Sequence, residues 1–326
     1  MLTVYRSNRA EWLANVLAES LRLNPPEPFE KVDVIVNTWA TSKWLSEQLA
    51  SVNGINAMVD FPFPGTYLRE LCKLVLGSTS ESNDPWKANK LVWHTLEILP
   101  EIEETKPNNP LVSCIRKSRS NSRIINRESW NIVRTVADAI DDYMLYRPDL
   151  INLWSENGKA SPKLIEQLEW QKDIIGILIK RIKSEPFGLE AKKAIQKLKN
   201  NNSPAKEIPQ NLYLFGISSL APIQVELIQA LSGLINIKIF LITPCPDLWQ
   251  RCKSRREELG TFWREPLSGD WLIQSPRLEA NLGRLGAEFQ QLLEGSGETQ
   301  LGEWVEGDLF AASATIKKNT KQEPSL

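Results

Sequence analysis

Asp138, Asp141 and Asp142 place three carboxylates within five positions, a grouping that invites comparison with a divalent-cation site. No histidine or glutamate joins them, so a metal site is not expected there. The chain has one histidine, His94 in LVWHTLEIL, and four cysteines, Cys72, Cys114, Cys245 and Cys252, with no C-x-x-C pair. A zinc site or a histidine-based triad therefore lacks partners, and the cysteines are expected as thiols in a reducing compartment. Basic side chains concentrate in IRKSRSNSRIINR at 115–127, which carries Arg116, Lys117, Arg119, Arg123 and Arg127. Such a run serves equally as a phosphate-contacting loop or as an ordinary solvated surface.

A second chemistry is conspicuous for what it lacks. A strand, a turn and a helix open the chain, as LTVY, RSNR and AEWLANVLAESL, which is the frame of a triphosphate-binding site. Such a site needs G-x-x-x-x-G-K-[ST], because bare backbone amides wrap the phosphates and the lysine neutralises them. Here the turn is Arg6-Ser7-Asn8-Arg9, and no other glycine pair at that spacing precedes Lys-Ser or Lys-Thr. Ser7 and Asn8 are expected to cap the following helix instead. Magnesium would also need a carboxylate at the end of a neighbouring strand, but YLFGI is followed by Ser218-Ser219-Leu220. No ATPase site and no cofactor are expected. A small-molecule enzyme on the same sheet has little support either, since no G-x-G-x-x-G follows a strand and no nucleophile elbow occurs.

The elements that position these residues follow from hydrophobic period. Strand-length apolar runs are LTVY (2–5), VDVIVNT (32–38), NLYLFGI (211–217) and INIKIFLI (235–242). The first three lead into helices at 10–22, about 40–51 and 221–233, which predicts an α/β fold with a parallel sheet covered by helices on both faces. Roughly 150 residues with almost no strand signal separate the second and third runs, too many for one crossover. They predict a helical insertion at 69–204 within a discontinuous α/β domain of 1–68 and 205–250, with helical spacing at 87–99, 128–146 and 162–184. A helical connector over 251–310 and a disordered tail at 311–326 complete the expected organisation.

The bulk composition is that of a globular protein: 326 residues, 42% hydrophobic, with 39 basic against 40 acidic side chains. That balance excludes binding to nucleic acid through bulk charge alone, so any such contact must be local. No window approaches a membrane span and no signal peptide opens the chain, which predicts a cytoplasmic protein.

Taken in order, VYRSNR, TWATSKWLSEQLA, VDFPFPGTYL, DDYMLYRPDLINLW, LYLFGISSLAPIQVELIQAL and IFLITPCPDLW resemble the N-terminal region of RecC, the gamma subunit of exodeoxyribonuclease V. A weaker likeness lies in NLGRLGAEFQQLLE at 281–294. The resemblance implies a superfamily 1 helicase-like domain that has lost its ATPase residues. It implies partners as well: a RecB-like helicase-nuclease, a RecD-like helicase, and single-stranded DNA from a broken duplex, scanned for a Chi sequence. Full chains of that kind run to about three times this length, so the resemblance also admits a piece of a split gene, or a remnant that acts only as a protein-interaction module.

Strand-scanning positions implied by the resemblance fall at Asn37, Trp39 and Lys43, at Phe63 and Arg69, and at Asp138, Ala139, Asp141, Asp142 and Arg147. Where this chain has Asn37, Trp39 and Lys43, the familiar members carry glutamine, threonine and glutamine, and they carry tryptophan in place of Arg69. The donors and acceptors offered to a base therefore differ. Trp39 reads either as a stacking platform for an unpaired base or as packing at the sheet end. Trp44, with Leu45 and Leu49, reads as core. Around 132–144 the apolar Ile132, Val133, Val136, Ile140, Tyr143 and Met144 share one helical face, while Asp138, Asp141 and Asp142 share the opposite one. The acidic face reads as solvated, with Arg134 four residues before Asp138.

Overall fold

A computed structural model describes residues 1–27, 29–78, 84–118, 126–155, 162–200, 204, 206–243, 286, 289, 293 and 304–308. The elements in chain order are β1 (Leu2–Ser7), α1 (Ala10–Leu23), β2 (Val32–Ile35), α2 (Trp39–Asn53), β3 (Val59–Asp60) and α3 (Pro64–Leu76). They continue as α4 (Ala88–Thr105), α5 (Pro110–Ser118), α6 (Arg127–Tyr146), α7 (Pro148–Ser155), α8 (Pro162–Arg181) and α9 (Phe187–Lys199). The last are β4 (Asn211–Phe215), α10 (Pro222–Leu231), β5 (Asn236–Ile242) and β6 (Trp304–Asp308). By contacts the chain divides into two units: Met1–Leu68 with Ile208–Leu220 and Ile228–Leu326, and Arg69–Glu207 with Ala221–Leu227.

The first unit is built on a six-stranded sheet of order β3-β2-β4-β5-β1-β6. Every pairing in it is parallel, the outcome expected when strands are joined by helical crossovers. β1 lies in register with β5, so that Val4 faces Ile239 and Tyr5 faces Phe240, and the Tyr5 and Phe240 rings stack at 5.2 Å. Alternation along the strands sends Tyr5, Val34, Val36, Tyr213, Phe215 and Phe240 to one face. There they pack with Leu13, Ala14, Leu17 and Ala18 of α1 and with Leu45 and Leu49 of α2. Leu2, Val4, Ile35, Leu212, Leu214, Ile237 and Ile239 alternate with them and are also fully buried. Continuous apolar strands buried on both faces are what the α/β reading requires. Trp44 is half-buried against this core, tilted toward Phe215 at 6.0 Å, and so serves packing as its helical face implies.

Three local readings change. The expected four-residue turn after the first strand is shorter, because Arg6 and Ser7 belong to β1 and are buried. Neither Ser7 nor Asn8 caps α1: the cap position is Arg9, with no side-chain cap bond, and Ser7 Oγ accepts from the Arg9 N–H at 3.0 Å within the turn. Two strands are additional, β3 inside the stretch read as having almost no strand signal and β6 beyond residue 251. Of the connector and the tail, only 286, 289, 293 and 304–308 are among the described residues.

Between β3 and β4 the described residues form seven helices, α3 to α9. In the second unit α4, α5, α6, α7 and α8 close around Val92, Ile98, Val133, Ala137, Ile140, Met144, Ile151, Trp154 and Ile175. The buried Trp86 packs in the same core and donates its indole N–H to the Ser184 carbonyl at 2.8 Å. Gly188, in the first turn of α9, sits where a Cβ would meet Pro148 Cβ at 2.9 Å and the Met144 carbonyl more closely still. Neither obstacle is the free end of a flexible side chain. Gly188→Ala should therefore cost about 1–3 kcal/mol, measured by denaturant unfolding of the full chain, and a value within error of zero would show that α9 can withdraw without penalty.

Candidate functional site

All strands run the same way, so the segments after β1, β2 and β3 emerge along one carboxyl edge of the sheet. Ligands of open parallel sheets bind at such an edge. After β2 the chain passes Val36, whose N–H bonds the Pro62 carbonyl at 3.1 Å, and reaches half-buried Asn37. Thr38 then caps α2, its hydroxyl accepting from the Thr41 N–H at 3.1 Å. This cap fixes the first residue of α2, Trp39, at the rim. Trp39 is 76% exposed. Its ring meets Phe63 edge to face at 5.4 Å. Phe63 is itself half-buried at the end of the segment that follows β3. Lys43, one helical turn after Trp39, is exposed. Asn37, Trp39, Lys43 and Phe63 are thus gathered in the first unit: an open aromatic face, an amide and a free-standing cation.

Along the same edge, after β1, the Arg9 guanidinium lies 5.3 Å above the centre of the Trp12 ring. Residue-type reasoning passes over this pair, although the i, i+3 spacing in RAEW is the signal for it.

The remaining site residues are in the second unit. Arg69 is mostly buried, at 11% side-chain exposure, and it pairs with Asp84 and, at 3.5 Å, with Asp141. Its guanidinium also lies 4.9 Å from the centre of the Phe187 ring. Asp141 accepts from the Ala88 N–H at 3.3 Å. Its carboxyl is nevertheless raised above the usual range, chiefly by burial. The acidic face of α6 is therefore split. Asp138 is exposed and paired with Arg134 at 2.9 Å, Ala139 and Asp142 face outward to different degrees, and Asp141 turns inward to Arg69. A wholly solvated acidic face is the reading that changes, because α3 carries a cation up to it. Arg147 is exposed at the end of α6, and its carbonyl receives the Leu150 N–H at 3.0 Å.

In the basic run Arg116 pairs with Glu103 at 3.3 Å and Lys117 is exposed, both at the end of α5. Arg119 and Arg123 lie outside the described residues. Arg127 starts α6, so the run is helical at both ends. Among the described residues no group of three or more His, Cys, Asp or Glu side chains is arranged to hold a metal ion, and no helix is long and apolar enough to cross a membrane.

Comparison with known proteins decides what these residues belong to. The family model for the RecC N-terminal domain matches residues 2–324. This chain belongs to the RecC N-terminal domain family. Relatives named RecBCD enzyme subunit RecC include that of Mycolicibacterium smegmatis, 28% identical over 323 residues, covering 95% of this chain and 28% of the relative. The protein of that name from Haemophilus influenzae is 25% identical over 272 residues, covering 76% of this chain and 24% of its own length. The Escherichia coli K12 protein is 26% identical over 257 residues, covering 76% and 22%. The chain thus spans about a quarter of the length of these RecC relatives and corresponds to their N-terminal region.

Proposed function

We propose that this chain is the N-terminal part of a non-catalytic DNA-handling subunit of a RecBCD-type exodeoxyribonuclease V, acting in double-strand break processing and homologous recombination. In this reading the α/β unit is a superfamily 1 helicase-like domain that no longer turns over ATP, and α3 to α9 form a helical insertion into it. A RecB-like helicase-nuclease and a RecD-like helicase supply force and cutting, and this chain steers one unpaired strand and scans it in the manner of a Chi reader.

The observation that carries the proposal is Trp39, three-quarters exposed at the carboxyl edge and held edge-on to Phe63. A large aromatic face left open at a ligand edge, with Lys43 one turn away, suits stacking of a base and neutralisation of its phosphate. The substitution of Trp39 and Lys43 for smaller uncharged residues shifts the site from hydrogen-bond readout toward sequence-tolerant stacking.

The motorless half of the proposal has its own test. Arg6 and Ser7 are locked into β1 and only Asn8 and Arg9 remain in the turn, so nothing there wraps a triphosphate. Purified chain incubated with ATP, magnesium and single-stranded DNA should release no phosphate above the rate of a heat-denatured control. Turnover that survives repurification would contradict the reading. Co-purification with a RecB-like subunit, without any DNA binding, would favour the protein-interaction alternative.

A further inference from the structure

We infer that Arg9 and Trp12 form a second station for the same single strand, at the place where a nucleotide-binding relative would hold phosphate. The inference rests on the strand-guiding reading above. α1 and α2 both begin at the carboxyl edge and both pack on the same face of the sheet. Each carries a tryptophan in its first turn, Trp12 at 37% and Trp39 at 76% exposure. The strands that launch them, β1 and β2, are separated by β4 and β5, so the strand ends from which the two stations start stand about 14 Å apart along the edge. A strand that kept the duplex rise of about 3.4 Å per nucleotide would cover that distance in roughly four nucleotides, and a more extended unpaired strand in fewer.

The Trp12 station differs from the first in chemistry. Its ring lies beneath the exposed Arg9 guanidinium, whose central carbon stands 5.3 Å from the ring centre. A guanidinium plane is itself a surface on which an unpaired base stacks, and its edge donors reach phosphate oxygens. Glu11, the acid of this turn, adjoins Trp12 in sequence and so does not share the Arg9–Trp12 face. Ser7 holds the Arg9 N–H, which fixes the backbone from which the guanidinium extends. A buried phosphate cradle has thus been exchanged for an exposed cation resting on an aromatic ring.

The test is titration of the full chain with a twelve-nucleotide oligothymidylate at several salt concentrations. Arg9→Ala should weaken binding at least 5-fold and reduce the slope of log K against log salt by about 0.7, one phosphate fewer on a single strand. Arg9→Lys should restore the slope and keep most of the affinity loss, because an ammonium replaces the charge and not the stacked plane. Trp12→Ala should weaken binding with the slope intact. If Arg9→Ala matches the parent in affinity and slope while Trp39→Ala binds poorly, the second station is wrong and the first stands. If the parent chain binds no oligonucleotide, both readings fall.

Discussion

Trp39→Ala should weaken the affinity of this chain for single-stranded DNA roughly 5- to 150-fold and leave its folding stability nearly unchanged. Base stacking on an aromatic side chain contributes about 1–3 kcal/mol per base, and each 1.4 kcal/mol is a factor of ten in affinity. The stability half follows from position. Trp39 is 76% exposed and meets Phe63 in a perpendicular ring contact, while the α2 cap is made by Thr38 and Thr41 and the core contacts of α2 by Leu45 and Leu49. Trp39→Phe keeps a stacking face and should recover most of the binding. Oligonucleotide titration paired with denaturant unfolding checks both halves. A large loss of stability with unchanged affinity would make Trp39 a structural residue.

Arg69→Met should destabilise the helical unit by about 3 kcal/mol, since removing one member of a buried ion cluster leaves its partners desolvated and unpaired. Arg69, Asp84 and Asp141 are 11%, 19% and 27% exposed, so none relies mainly on solvent to offset its charge. Burial pushes the Arg69 guanidinium down from its ordinary value, and the nearby Asp141 and Glu190 carboxylates oppose that push. Replacing all three, as Arg69→Met with Asp84→Asn and Asp141→Asn, should restore most of the lost stability, because the desolvation costs leave together. Asp141 has a definite sign in pH. Its folded value lies above the ordinary 3.8, so its favourable share is complete below that value and is lost as pH rises through the raised one. In Asp141→Asn that fall should disappear. Denaturant unfolding of the single and triple variants, repeated across the carboxylate range, measures each of these. A triple variant no more stable than Arg69→Met would show that the ionic geometry itself holds the unit together.

The contrast between these two residues shows what kind of information a sequence carries. The position of Trp39 is legible because it depends on neighbours in the chain: an apolar run that makes β2, a Thr cap, and a helix whose inward face is supplied by Leu45 and Leu49. The sheet is legible for the same reason, since β1, β2, β4 and β5 are each long enough to show a strand period. β3 has two residues, too few for any period, and β6 follows a polar stretch more than sixty residues after β5, so neither announces itself. Arg69 and Asp141 stand 72 positions apart, and helical spacing fixes only the faces of α3 and α6, not which helix each face meets. Three aspartates on one helical face therefore read as equivalent, and only the fold separates Asp141, turned toward Arg69, from Asp138, which keeps its partner four residues away. Arg9 and Trp12 fall between these cases: the spacing is visible, but its meaning depends on α1 and α2 starting along one edge.

The central claim is that a frame without a triphosphate grip still holds a strand. Quenching of the intrinsic tryptophan fluorescence of the full chain by a twelve-nucleotide oligothymidylate, recorded at fixed magnesium concentration and ionic strength with and without ATP, tests it most directly. The account predicts a saturable quench, identical in both conditions and largely lost in Trp39→Ala. An isotherm that tightens or weakens on adding the nucleotide, or no saturable quench at all, would contradict it.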